Sequence, residues 1–197
     1  MKKILASVAC LGLWLVAGTA LQADNLVLNG GFETGDFTDW TISNASNGSL
    51  LTVTPFVSHS GQYSAAFGAT EWEFDAIRQS LSTAAGKTYV LSYWVNADTQ
   101  GQPSNDFQAY WNGALLQDLH SLDRGDGTFA EYSASVTGTG TDVLEFVGYN
   151  AASNDYLDDV SVATAPSAPA SAPEPASVAL LATALLSLGI GKKLRKQ

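Results

Sequence analysis

Short runs of β-branched and aromatic residues recur along the central part of this chain and constrain its fold more than any other feature. Clusters of Gly, Asn, Asp and Ser separate these runs, and helical periodicity is nearly absent. The pattern predicts an all-β domain. The predicted strands are residues 26–28, 40–42, 50–57, 64–67, 76–81, 88–96, 107–111, 114–116, 129–136, 143–149 and 156–162.

Two local signals refine this prediction. The pair Asn112-Gly113 stands between apolar runs and predicts a type I′ hairpin, because both turn positions of that hairpin take positive φ. The run TYVLSYWVN (88–96) carries bulky side chains on both faces. Such a strand belongs in the middle of a sandwich, with one face on the core and the other lining a covered surface or a binding cleft. Many short strands with such turns predict a jelly-roll β-sandwich of two sheets.

The region 24–164 has the length of one domain with its own core. It holds eighteen acidic and three basic residues, so nucleic acid and anionic membrane surfaces are poor partners for it. The simplest interpretation of so acidic a surface is solubility.

Residues 1–23 have the organisation of a signal peptide. Lys2 and Lys3 precede a mainly apolar stretch, and small residues follow up to Ala23, where signal peptidase is expected to cut. The one cysteine, Cys10, lies in the segment that is removed, with its lipidation as a minor alternative. The mature chain then has no disulfide, no cysteine nucleophile and no thiolate metal site.

A second apolar segment, residues 176–191, has no charge and is followed by four basic residues. As a helix it would span roughly 24 Å. This is short for a bilayer core of about 30 Å, but terminal lysine side chains can lengthen the effective span. The segment predicts a transmembrane helix with a cytoplasmic C-terminus. Before it, residues 165–172 are rich in Pro, Ala and Ser and predict an extended linker.

The motif Pro173-Glu174-Pro175, the apolar helix and the basic end together resemble the PEP-CTERM sorting signal of exopolysaccharide-producing Gram-negative bacteria, over residues 173–197. Such tails have also been labelled ice-binding protein C-terminal domains, but this sequence has no ice-binding repeat. The resemblance implies that exosortase, a membrane-embedded transpeptidase-like enzyme, recognises Pro173, Glu174 and Pro175. It would release or transfer the upstream domain, so that the second apolar segment is a temporary anchor.

Four stretches of the domain, NLVLNGGFETGDFTDW, SGQYSAAFG, AGKTYVLSYWV and DYLDDVSV, occur in the order seen in galactose-binding-like β-sandwiches. They resemble the carbohydrate-binding modules of that fold. The resemblance implies a structural calcium ion held by Glu33 and by Asp158 or Asp159, with backbone around Ser60 and Gly61 completing the shell. The alternative is that Glu33 caps a turn and the two aspartates solvate an edge.

The sequence gives little support for catalysis. The acidic candidates Asp123, Asp126 and Glu131 lie around a DRGDGT turn, and such a loop is far more often only a turn. His59 and His120 are the only histidines, and no nucleophile elbow accompanies them. We therefore predict that the protein is not an enzyme.

Aromatic residues make a better case for sugar binding, because an aromatic ring stacks on the apolar face of a pyranose. The ligand-binding candidates are Trp72, Trp94 and Tyr110, with Trp111 as a further aromatic. For Trp94 and Trp111 a place in the core is the favoured alternative, whereas Trp72 is expected to be exposed. The candidate polar partners are Glu71, Glu73, Asp75, Gln79 and Gln108.

These features predict an exported, non-enzymatic protein, sorted to the cell envelope or extracellular matrix, that associates with polysaccharide. A structural or adhesive matrix protein that binds other proteins is the alternative, and a polysaccharide-processing enzyme is the third.

Overall fold

The computed structural model describes residues 24–44, 49–69, 74–98, 105–120, 128–151 and 153–166. The predicted signal peptide, most of the linker, the sorting motif and the C-terminal apolar segment lie outside these residues. Within the described part of the chain, no helix is long and apolar enough to cross a membrane. Its strands are β1 (Thr41–Asn44), β2 (Thr52–Thr54), β3 (Ser64–Phe67), β4 (Asp75–Ser82), β5 (Thr88–Asp98), β6 (Asn105–Trp111), β7 (Ala114–His120), β8 (Ala130–Thr137), β9 (Thr141–Asn150) and β10 (Asn154–Thr164).

The ten strands form two five-stranded sheets. The first sheet has the order β1-β4-β9-β6-β7, and the second has the order β2-β3-β10-β5-β8. Every neighbouring pair is antiparallel. The predicted all-β sandwich is therefore confirmed.

The hydrophobic core lies between the two sheets and follows from the alternation of side chains along each strand. In β5, Tyr89, Leu91, Tyr93 and Val95 are all buried and belong to the core, whereas Trp94 faces outward. Aromatic rings from both sheets meet in this core. The ring centroids of Tyr93 and Phe146 are 4.9 Å apart, which joins β5 of the second sheet to β9 of the first.

The predicted hairpin at Asn112-Gly113 connects β6 to β7. Both residues have positive φ, 51° and 77°, as the type I′ turn requires. Asp142 at the start of β9 holds this turn, because its Oδ1 accepts a hydrogen bond of 2.6 Å from the Asn112 side chain. The hairpin therefore fixes how β7 lies beside β6 at the edge of the first sheet.

The predicted strand at residues 26–28 is not formed, and the predicted strand at 50–57 is shortened to β2. In the described part of the chain, one backbone group of residues 26–28 bonds to the backbone of the second sheet: Leu26 N–H donates to the Val162 carbonyl at 2.8 Å. Both backbone groups of Leu28 bond to the Gln79 side chain instead. Gln79 Oε1 accepts from Leu28 N–H, and Gln79 Nε2 donates to the Leu28 carbonyl, both at 2.9 Å. A side-chain amide thus takes the place of a neighbouring strand.

Candidate functional site

One group of polar side chains surrounds Tyr110 on the outer face of the first sheet. Because Phe107, Ala109 and Trp111 point into the core, the alternate residues of β6 point away from it. The strand register then sets residues of β7 and β9 beside them: Asp118 lies opposite Gln108, and Glu145 lies opposite Tyr110. We call this surface the Tyr110 face, and its residues are Asp106, Gln108, Tyr110, Asp118, His120 and Glu145.

Hydrogen bonds connect the Tyr110 ring to the acidic side chains of this face. The Tyr110 hydroxyl donates to Gln108 Oε1 at 2.5 Å. The Gln108 amide nitrogen donates in turn to Asp118 Oδ1 at 3.2 Å and to Asp106 Oδ2 at 3.4 Å. The ring is therefore held in place beside carboxylates, which is the combination of groups that recognises a sugar ring and its hydroxyls.

The imidazole of His120 lies between two carboxylates of the Tyr110 face. Its Nδ1 is 3.3 Å from Asp106 Oδ1, and its Nε2 is 2.9 Å from Asp118 Oδ2. One ligand atom from each of these three residues lies within 4.8 Å of the others, so the group could hold a cation. Burial raises the pKa of Asp106, and the negative charge of Asp118 adds to this effect while His120 opposes it.

The other predicted aromatic ligand residues do not share this face. Trp94 lies on the outer face of the second sheet and not in the core, contrary to the favoured alternative, and the His59 ring stacks on it with 3.7 Å between ring centroids. Trp111 is buried in the core, as the alternative interpretation held. Trp72 lies outside the described residues. Tyr110 is thus the described candidate whose ring lies on the outer face of the first sheet, with polar groups around it and no ring stacked on it among the described residues.

The residues predicted to hydrogen-bond to a sugar also lie in different parts of the fold. Gln108 is part of the Tyr110 face, but Gln79 is buried and its amide bonds to Leu28, so it cannot contact a sugar. Asp75 is fully buried and is equally out of reach. The remaining predicted partners, Glu71 and Glu73, lie outside the described residues. Of the acidic residues considered for catalysis, Glu131 is exposed on β8 of the second sheet, and Asp123 and Asp126 lie outside the described residues.

The predicted calcium ligands Glu33, Asp158 and Asp159 converge on one loop, residues 59–63. Asp158 Oδ2 accepts from the backbone N–H groups of His59 and Ser60, at 2.7 and 3.2 Å. Asp159 Oδ1 accepts from the Ser60 hydroxyl at 2.8 Å, and its Oδ2 lies 2.6 Å from His59 Nδ1. Burial raises the pKa of Asp158 to about 6.

Glu33 contacts the far side of the same loop. Its Oε1 accepts from the N–H groups of Gln62 and Tyr63, at 2.9 and 3.0 Å. The loop thus presents amide hydrogens to Glu33 and Asp158, and a hydroxyl and a ring nitrogen to Asp159, whereas calcium takes oxygen ligands. In this arrangement the residues do not fit a calcium ion unless loop peptide groups turn. Calcium binding at Glu33, Asp158 and Asp159 stays a prediction.

Sequence reasoning missed four residues of the Tyr110 face. The alternation along β6 places Gln108 and Tyr110 on one side, and Asp106 could have been added by the same rule. Asp118, His120 and Glu145 reach this face through the pairing of β7 and β9 with β6, and single-strand patterns do not contain that pairing. The Asn112-Gly113 hairpin was not a sufficient signal for Asp118 and His120, because its register pairs Tyr110 with Leu115 and would set Gln117 opposite Gln108. An irregularity between Tyr110 and Ala109 shifts the pairing by one residue and brings Asp118 and His120 to this face.

Solved structures share this fold at low sequence identity. The structure of TmCBM61 in complex with β-1,4-galactotriose is 17% identical with a TM-score of 0.55, and the match covers 73% of this chain and 100% of that chain. The CBM22-1 xylan-binding domain of Paenibacillus barcinonensis Xyn10C is 15% identical with a TM-score of 0.51, over 76% of this chain and 100% of that one. The K3 cleaved adhesin domain of Lys-gingipain from Porphyromonas gingivalis is 18% identical with a TM-score of 0.57, over 70% and 99%.

The sequence of this chain also matches a protein family. No curated protein matches this chain in sequence. A family model described as "Carbohydrate binding domain" matches residues 24–142, which is more than half of the chain and includes β1 to β8. The chain therefore belongs to this carbohydrate binding domain family.

Proposed function

We propose that this protein binds polysaccharide through the Tyr110 face and has no catalytic activity of its own. The observation that carries the proposal is the hydrogen-bonded series from Tyr110 through Gln108 to Asp118 and Asp106 at an outer face of the sandwich. The aromatic ring would stack on the apolar face of a sugar, and the carboxylates would accept hydrogen bonds from its hydroxyl groups. Membership of a carbohydrate binding domain family supports the same conclusion.

The outer face of the second sheet is a poorer candidate for stacking. Trp94 has the larger ring, but the His59 imidazole already lies nearly parallel to it, at an angle of 13°. A sugar would have to displace His59 from both this ring and Asp159. We therefore place the glycan at Tyr110 rather than at Trp94.

The test is binding of the full-length chain, purified in mild detergent, to an array of plant and bacterial polysaccharides. We expect retention on at least one polysaccharide, and a loss of about tenfold or more in affinity for Tyr110→Ala, because the variant loses the stacking contact and a tenfold change in affinity corresponds to about 1.4 kcal/mol. Phe56→Ala is the matched control, since Phe56 is 90% exposed on the segment that follows β2 of the second sheet. Equal losses in both variants would remove the Tyr110 face from the proposal.

A structural or adhesive role in binding other proteins is the alternative. It would be favoured by retention on envelope proteins together with no retention on any glycan by the folded chain. Turnover of a glycan would instead favour a polysaccharide-processing enzyme.

We also propose that the protein is exported through the inner membrane by a signal peptide, cut by signal peptidase, and sorted by exosortase to the cell envelope or extracellular matrix. The motif Pro173-Glu174-Pro175 and the apolar and basic segments after it support this route. Replacing these three residues with Ala in a producing cell should leave the larger, membrane-anchored form in place of the processed one. Unchanged size and location on immunoblots of cell fractions would contradict sorting by exosortase.

A further inference from the structure

The carboxylates of the Tyr110 face carry more negative charge than the basic residues of this face neutralise. Asp106, Asp118 and Glu145 contribute three carboxylates. Among the described residues, the ion pairs of Asp106 and Asp118 are both with the single imidazole of His120. Arg78 lies opposite Glu145 in the register of β4 and β9, but no ion pair joins their side chains. A ligand of this face therefore meets a site of net negative charge.

Asp106 is the more buried of the two carboxylates that contact His120, with 17% of its side chain exposed against 33% for Asp118. Among the described residues, its buried Oδ1 makes no regular hydrogen bond, and its one charged contact is His120 Nδ1 at 3.3 Å. A positively charged donor brought by a ligand would therefore stabilise Asp106 more than a neutral donor would.

Resting on the proposed function, we infer that the polysaccharide bound at the Tyr110 face carries free amino groups, as chains of unacetylated hexosamine do. A protonated amine brings three N–H donors and a positive charge to Asp106 and Asp118, while Tyr110 stacks on the sugar ring. A sugar hydroxyl supplies a donor without charge, and a uronic acid brings a further negative charge. The His120 side chain is 63% exposed, so it can turn toward solvent when the amine enters.

The test compares three oligosaccharides of equal length: a glucosamine oligomer, an N-acetylglucosamine oligomer and a galacturonate oligomer. Each is titrated calorimetrically into the full-length chain in detergent, with a chelator and at low ionic strength, where charge interactions are least screened. We expect the glucosamine oligomer to bind about tenfold more tightly than the N-acetylated one. A hydrogen bond to a charged group is stronger than a neutral one, and the difference in free energy corresponds to about a tenfold difference in affinity. The galacturonate oligomer should not bind.

Matched variants separate this site from the general attraction of an acidic protein for a polycation. Asp118→Asn keeps the shape of the side chain and one of its acceptor oxygens and removes its charge, so the preference for the amine should fall toward one. Asp106→Asn should do the same from the more buried position. Glu131→Gln removes one charge from an exposed position on β8 of the second sheet and should leave the preference unchanged.

Different results would contradict the preference for amines and the binding of polysaccharide. Equal affinity for the amino and N-acetylated oligomers, or an equal loss of preference in Glu131→Gln, would overturn it while polysaccharide binding stands. Failure of the folded chain to bind any glycan on the array would overturn the proposed function as well. If binding appears only after the chelator is replaced by a divalent cation, the group Asp106, Asp118 and His120 is a metal site and the amine is not its ligand.

Discussion

Glu33 and Asp158 each accept two backbone N–H groups from the loop at residues 59–63, although they come from opposite ends of the domain. Hydrogen bonds to a charged acceptor are stronger than neutral ones, so these contacts hold the loop against the sandwich. Gly61 lies between them with a φ of 61°, and a Cβ there would be 2.3 Å from Glu33 Oε1. Position 61 therefore accepts glycine and no larger residue while Glu33 keeps this place.

We expect Glu33→Ala to lower the free energy of unfolding by about 1–2 kcal/mol, because the amides of Gln62 and Tyr63 lose a charged acceptor. Urea unfolding in the presence of a chelator measures this loss. Glu131→Ala, at an exposed position, is the control and should change little. No loss in Glu33→Ala would contradict the role given to these hydrogen bonds. Added calcium that stabilises the parent chain but not Glu33→Ala would support the predicted ion.

Resemblance to carbohydrate-binding modules predicted that Glu33 and the aspartates of the DDV motif meet, and they do meet at one loop. It did not predict that the loop turns its amide hydrogens toward them. The direction of a peptide group depends on φ and ψ at each loop residue, and positive φ at Gly61 and Asp159 is a property of the folded chain. Residue types at these positions therefore indicated the contact but not its chemistry.

Among the elements, the strands with strong alternation were predicted best. The prediction for residues 64–67 matches β3, and those for 88–96 and 143–149 lie within β5 and β9. The prediction for 50–57 was too long, since β2 spans only Thr52–Thr54. Pro55 follows it and has no N–H to continue the ladder. Apolar residues beyond that point looked like strand in the sequence, yet Phe56 is almost fully exposed.

Element pairing was the information that the sequence lacked. Residues 26–28 have the composition of a strand, but the Gln79 side chain bonds to Leu28 where a strand partner would otherwise lie. The missing information on pairing also explains why the candidate site was predicted only in part. The alternation of β6 alone indicates Tyr110 and Gln108, whereas β7 and β9 contribute the other charged residues. Local pattern predicts elements, whereas their neighbours depend on long-range contacts that no window of sequence contains.

At the scale of the whole molecule, one buried carboxylate joins the two sheets. Asp155 of β10 in the second sheet accepts hydrogen bonds from Asn105 and Asn150 of the first, at 2.8 and 3.1 Å. Burial raises the pKa of Asp155 to about 7 in spite of these bonds. For Asp142, burial acts in the same direction, but hydrogen bonds from Thr83, Asn112 and Thr139 outweigh it and lower the pKa to about 2. The two groups therefore give stability opposite dependences on pH.

The pH dependence of stability follows from these shifts. The raised pKa of Asp155 means that the folded state binds its proton more tightly than the unfolded chain does, so stability falls as pH rises from about 4 to about 7. The lowered pKa of Asp142 contributes stability that is lost as pH falls from about 4 through about 2. Together they place maximum stability at about pH 4, with a decline from there toward neutral pH.

We expect the free energy of unfolding, measured with urea and a chelator, to be at least about 1.4 kcal/mol lower at about pH 8 than at about pH 5, since one unit of pKa shift corresponds to that amount. Asp155→Asn keeps an oxygen acceptor for Asn105 and Asn150 and cannot ionise, so the part of this decline that belongs to Asp155 should disappear in that variant. A smaller decline, complete by about pH 6, should remain, because burial also raises the pKa of Asp158. Asp39→Asn removes an exposed carboxylate, at a positive φ that Asn tolerates, and should keep the decline of the parent chain. A decline of the same size in Asp155→Asn would show that another group titrates, and the carboxyl buried between the sheets would then have no part in the pH dependence.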